Sequence, residues 1–196
     1  VEGRADQIVL ERLYRTQLHV AGIEVIPVHG VFKFQGVIEA EALWKYTSAM
    51  IAILVDNDIG SVANELKHDS AKRYKATRQS SNTELQQIAN LLETAVQAER
   101  DVEVKSISTF DMFGLLDEAM LKKRFKMFPG HEQAEAEWEE RNRTTTPSIQ
   151  RKPFFREAYG VNFDAGLFED VASEMLEQEI RPSELTEIVN ALSTDF

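Results

Sequence analysis

The sequence predicts an α/β fold, a parallel sheet flanked by helices, with a helical insertion and a helical C-terminal tail. Three observations predict it. Ile51–Gly60, IAILVDNDIG, is a short apolar run with β-branched side chains that ends in Asp56 and Asp58, one residue apart. Such a run reads as a strand buried on both faces, and its carboxyl end is where an open α/β sheet presents ligand groups. The opening VEGRAD places Glu2 before a glycine and Asp6 four residues later, ahead of helically spaced Ile8, Val9, Leu13 and Leu18. DVEVKSIS, Asp101 to Ser108, alternates apolar with polar residues and reads as another strand.

In chain order, Asp6 to about Leu18 is an amphipathic helix with Arg12, Arg15 and Thr16 on its polar side. Ala21-Gly22 breaks it, and Ile23–Val28 reads as a strand closed by His29-Gly30. His29 serves either as a turn contact or as a neighbour of a metal or phosphate. Phe32–Tyr46 carries Phe34, Val37, Ile38, Ala42, Leu43 and Trp44 at helical spacing and delivers the chain to Ile51–Val55. Ile59–Leu66 makes a short helix. The stretch after it concentrates Lys67, Lys72, Arg73, Lys75 and Arg78 around Tyr74. Basic residues interleaved with an aromatic suit contact with a nucleic-acid backbone, and a solvated loop is the alternative. Asn82–Arg100 is a helix with Leu85, Ile88, Leu91, Leu92 and Val96 on one face and a cap signal at Ser81-Asn82-Thr83.

A further helix is expected over Phe110–Met127, ended by Pro129-Gly130. His131–Arg143 is an acidic helix anchored by Trp138. Its Glu132, Glu135, Glu137, Glu139 and Glu140 spread around the axis, which reads as a solvated surface and not a metal cluster. Thr144–Gln150 is a polar, proline-containing segment, expected to be a hinge or disordered connection. The remainder is helical, with proline starting and glycine stopping the segment KPFFREAYG. These last helices are expected to cover the sheet or a partner. Lys152 and Arg156 stand out among them as cations able to offset charge on a phosphate.

Composition sets wide limits. The 196 residues suffice for one domain, or for a domain with a helical appendage. The absence of cysteine excludes disulfides and thiolate metal sites, and a reducing, cytoplasmic compartment is expected. No apolar run approaches the length that crosses a bilayer, so no membrane partner is expected. A formal net charge of −11 opposes general nucleic-acid binding but leaves local phosphate contacts open.

The acidic residues have a common placement if a strand ahead of Val1 lies parallel to Ile51–Val55. Glu2 and Asp56 are then at neighbouring strand ends, with Asp6 and Asp58 on the turns above. Four convergent carboxylates cannot all stay ionised without a cation, and oxygen ligands without thiolates favour Mg²⁺ or Mn²⁺. On this arrangement the sequence reads as a piece of something longer.

Glu-Gly at a strand end, followed about fifty residues later by Asp-x-Asp at another, resembles the Toprim domain, a Rossmann-like metal-binding fold of topoisomerases, primases and nucleases. Among its branches the chain most resembles the OLD (overcoming lysogenization defect) nucleases. The resemblance covers roughly residues 1–115 and implies a catalytic domain over 1–127, with a helical insertion at about 60–100 and a helical region over 128–196. Glu2, Asp6, Asp56 and Asp58 match the family's acidic positions, Asp111 is the nearest match to a later one, and Lys152 is the candidate for its catalytic lysine.

The activity so implied is DNA phosphodiester hydrolysis with two ions sharing Asp56, one completed by Glu2 and Asp58 and the other by Asp6 and Asp111. The resemblance also implies an ABC-type ATPase domain N-terminal to this part of the chain, homo-oligomerisation, and by analogy a role against phage. Two other readings remain. One is a Toprim primase or topoisomerase, which the missing zinc-binding cysteines oppose. The other is a degenerate module acting in binding or regulation.

Overall fold

The structure, a computed structural model, describes residues 1, 3–27, 44–45 and 48–195, without the side chains of residues 58, 84 and 195. Among these residues, nine α-helices accompany one two-stranded parallel sheet, an arrangement compatible with the α/β class but mostly helical.

Helix α1, Arg4–Val20, starts at Gly3, whose N–H donates to the Asp6 carboxylate at 2.8 Å. Val9, Leu10, Leu13, Tyr14 and Leu18 form its buried stripe at helical spacing. Strands β1, Ile51–Val55, and β2, Val102–Ser106, pair in parallel with Ile51 opposite Val102 and Val55 opposite Ser106. Parallel strands need a long crossover. Helices α2, Asn57–His68, α3, Ser70–Gln79, and α4, Thr83–Gln97, supply it. Ile53, Val55, Val102 and Val104 pack with Ile59, Ala63 and Leu66 of α2 and with Ile88, Leu91 and Leu92 of α4. Helix α2 approaches the sheet so closely that a Cβ on Gly60 would lie 2.3 Å from the Ser106 Cβ.

The larger core is helical. It joins α1 to a 3₁₀ turn, Met112–Leu115, and to α5, Glu118–Arg124, α6, His131–Thr144, α7, Arg151–Tyr159, α8, Ala165–Glu177, and α9, Ser183–Asp195. Tyr14, 1% exposed, bonds through its hydroxyl to the Pro182 carbonyl at 3.1 Å and to Thr186 Oγ1 at 2.9 Å, tying α1 to the start of α9. Helix α1 shares its core with residues beyond 106, and the second core lies within residues 44–104.

Several elements differ from expectation. Ile23–Pro27 forms no strand: the Val25 carbonyl accepts from the Gln7 side chain, and the Ile26 carbonyl from the N-terminal amine, in place of a ladder partner. Strand β1 is half-buried, with only Val55 buried, because β2 is its one neighbour among the described residues. The basic stretch after α2 is a helix and not a loop: Asp69 accepts the N–H groups of Ala71 and Lys72, each at 3.0 Å.

The single helix expected over Phe110–Met127 is split by two aspartate caps, Asp111 on the Phe113 N–H at 3.0 Å and Asp117 on the Met120 N–H at 2.9 Å. The expected hinge after α6 is pinned. Asn142 Oδ1 accepts the Ile149 N–H at 2.6 Å, while Asn142 Nδ2 and Trp138 Nε1 donate to the Ile149 carbonyl. The last helices cover chiefly α1 and not the sheet, although Leu54 of β1 reaches the same core. His29 and the helix expected over Phe32–Tyr46 lie outside the described residues, apart from helical Trp44 and Lys45.

Two predictions follow from this packing. Gly60→Ala must displace Ser106 and is expected to cost about 1–3 kcal/mol in urea unfolding, with the cost reduced when Ser106→Gly is also present. The second concerns Glu118, which joins α5 to α6. Hydrogen bonds from Lys122 and from the His131 N–H hold its carboxylate below the usual range, against a smaller effect of burial. A lowered carboxylate stabilises above its unfolded value, and that contribution is lost as pH falls through the folded one. The Tm difference between wild type and Glu118→Gln should therefore be largest at neutral pH and close on acidification.

Candidate functional site

Parallel pairing sets the carboxyl ends of β1 and β2 side by side. Hydrogen bonds continue past the strands, from Ile107 N–H to the Val55 carbonyl at 3.1 Å and from Asn57 N–H to the Thr109 carbonyl at 3.2 Å. The second bond sets the loop that leads to Asp111 against the turn that begins at Asp56. Asp56 is the N-cap residue of α2, extended at φ −72° and ψ 164°, and its carboxylate makes no capping hydrogen bond. Its carbonyl accepts the Gly60 N–H at 3.0 Å, so the backbone starts the helix.

Asp111 is differently placed. Its Oδ1 accepts the Phe113 N–H at 3.0 Å, and its Oδ2 accepts from Arg151 Nη1 at 2.8 Å and lies 3.9 Å from Lys152 Nζ. The Arg151 side chain is 9% exposed and also donates from Nε to Glu135 Oε1 at 2.6 Å. Its guanidinium lies 4.6 Å from the Phe155 ring centroid, with Phe110, Phe113 and Phe163 each within 6 Å. A cation in an aromatic cage with two carboxylates is a compensated buried group. As a metal ligand Asp111 fits poorly, since both oxygens are committed to protein donors. Lys152, the next residue of α7, is 62% exposed.

Asp6 serves the first turn of α1. Glu2 and the Asp58 side chain lie outside the described residues, so the quartet is described only at Asp6 and Asp56. Among the described residues, no three His, Asp or Glu side chains are grouped so as to hold a metal ion, and no helix is long and apolar enough to cross a membrane.

The five basic residues have different surroundings. Arg73 is buried: it pairs with Glu93 Oε2 at 2.9 Å and donates to the Leu66 and Lys67 carbonyls, satisfying the last turn of α2. Lys67 pairs with Glu103 at 2.7 Å and Asp101 at 3.4 Å. Burial alone would depress its pKa, but the two acids raise it overall. Lys72 pairs with Glu65 at 2.7 Å, Arg78 lies over the Tyr74 ring, and Lys75 is exposed. Lys72, Lys75 and Arg78 thus present charge at the surface of α3.

Arg151 was not among the expected site residues, and Glu135, expected on a solvated face, is instead 19% exposed and paired with Arg151. A signal for Glu135 exists: with His131, Ala134, Trp138 and Asn142 it shares the face at i, i+3, i+4, i+7 and i+11, which is the inward face of α6. For Arg151 the signal is a cation three and four residues before Phe154 and Phe155, which puts Phe155 one helical turn along the same face. No family model, no curated protein and no solved structure matches the chain.

Arg151→Met leaves two largely buried carboxylates without their counter-ion. It is expected to lower the unfolding free energy by roughly 3–5 kcal/mol in denaturant titration, whereas Lys152→Ala should change it by less than about 0.5 kcal/mol.

Proposed function

We propose that the chain is the nuclease part of a metal-dependent DNA endonuclease with a Toprim-like site, similar to the OLD branch. One observation carries the proposal. A helical insertion separates two parallel strands, and the turn bearing Asp56 and Asp58 shares one sheet edge with the loop leading to Asp111 and its neighbour Lys152. In this reading Glu2, Asp56 and Asp58 hold Mg²⁺ or Mn²⁺, and Asp6 stands close by as a further acid. The ions, when bound, supply activation of a water and compensation of charge on the leaving oxygen. The chain's own groups do the rest. Asp56 is fixed at a strand end by its backbone, Lys152 offers an exposed cation to the phosphate, and Lys72, Lys75 and Arg78 track the DNA backbone. An ATPase domain in the same chain, a homo-oligomer, a cytoplasmic setting and a role against phage belong to the same proposal.

The commitment of Asp111 to Arg151 favours a second reading, a module whose acidic edge binds without cleaving. The two are separated by nicking of supercoiled plasmid in Mg²⁺ and Mn²⁺, beside a thermal melt in the same ions. The nuclease is expected to nick only with metal and to lose at least about a hundredfold in rate on Asp56→Ala. The same substitution should abolish the metal-induced rise in Tm. Cleavage undiminished in the variant would remove the proposal. A metal-dependent Tm rise without cleavage would favour the binding module.

A further inference from the structure

We infer that Arg151 is a positioning residue acting through Lys152, and that Asp111 is its counter-ion and not a ligand of the metal. This rests on the nuclease reading above and assigns a role to a side chain outside the acidic set. Arg151 begins α7, and its guanidinium is fixed from three directions: Asp111 beyond the end of β2, Glu135 on α6, and the ring of Phe155 one turn along its own helix. Fixing Arg151 fixes the backbone of the first turn of α7, and Lys152 is the next residue of that turn. Its amine accordingly stands 3.9 Å from Asp111 Oδ2 and 5.9 Å from the Phe163 ring centroid, exposed but tethered.

The Asp111 carboxylate has a complete set of partners without a metal: one backbone N–H, one guanidinium and one ammonium group nearby. Replacing these donors by a divalent ion would leave Arg151, buried to nine-tenths, with Glu135 alone. That exchange strips charge compensation from a desolvated cation and is unfavourable.

The test compares wild type with Asp111→Asn, Arg151→Lys, Arg151→Met, Lys152→Ala and the Arg151→Met/Lys152→Ala pair, with Asp56→Ala as the reference for a lost metal. In thermal melts, Asp111→Asn is expected to keep the Mn²⁺-induced rise in Tm that Asp56→Ala loses. Loss of that rise in Asp111→Asn would make Asp111 a ligand and overturn the inference. In steady-state nicking well below each Tm, Lys152→Ala is expected to lower kcat about a hundredfold with KM within about twofold. Arg151→Met should lower kcat by a similar factor, Arg151→Lys should recover part of it, and the double variant should be no slower than Lys152→Ala alone. An Arg151→Met enzyme with wild-type kcat, or losses that multiply in the double variant, overturns the positioning role. If Arg151→Met does not fold, Arg151→Lys and its pair with Lys152→Ala decide the same question. Cleavage that survives Asp56→Ala removes the nuclease reading and the positioning role with it, while the Mn²⁺ melts still decide the status of Asp111.

Discussion

The parallel pairing of β1 with β2 is the constraint on which the rest depends. Five-residue strands provide few ladder bonds, and the pairing holds because both elements carry apolar side chains toward α2 and α4. Once the register sets Val55 against Ser106, the two bonds beyond it bring Ile107 and Thr109 against the end of β1. The chain after β2 is then committed to the helical core, where Ile107, Met112 and Phe113 are buried. Ser108 is held from the other side by Glu184 at the start of α9, through its N–H and its hydroxyl. The strand ends are thus the seam between the two cores, and Asp56 lies at that seam.

Arg151 is the electrostatic counterpart of this seam. Buried ion pairs are poor evidence for net stability, because desolvation offsets most of the attraction. They are better evidence for specified geometry, since a guanidinium with two carboxylates and an aromatic ring at fixed positions tolerates little displacement. The group joins three pieces distant in sequence: the loop after β2, α6 and α7. Around it the aromatic rings meet edge to face, Phe113 with Phe128, His131 and Phe155 among them, which fixes orientation as well as area.

A buried arginine also distinguishes the two halves of the basic stretch. Arg73 and Lys67 face acids and carbonyls of α2, α4 and β2, and their charge is spent inside the insertion. Lys75 and Arg78 point elsewhere on α3, and Lys72 pairs at the surface with Glu65 of α2. A run of five cations in the sequence therefore becomes two structural links and three surface charges, a modest basic surface on a chain of net charge −11.

Local pattern determined much of this protein. The apolar runs of β1 and β2, the stripe of α1, the face of α4 with its Asn82 cap, and the glycine stop after α7 are all visible in the sequence, because each depends on residues within a turn or two. The candidate Asp56, at a strand end ahead of a helix, was legible for the same reason. Tertiary structure decided what depends on distant partners. Ile23–Pro27 has strand-like composition, but its carbonyls go to Gln7 and the N-terminal amine. Phe110–Met127 has helical spacing, but two aspartates cap separate turns within it. Asp111 and Glu135 look in sequence like a metal ligand and a solvated acid, and the fold makes both partners of Arg151, 40 and 16 residues away. A carboxylate's role is set by the charge that faces it, and that charge comes from another part of the chain.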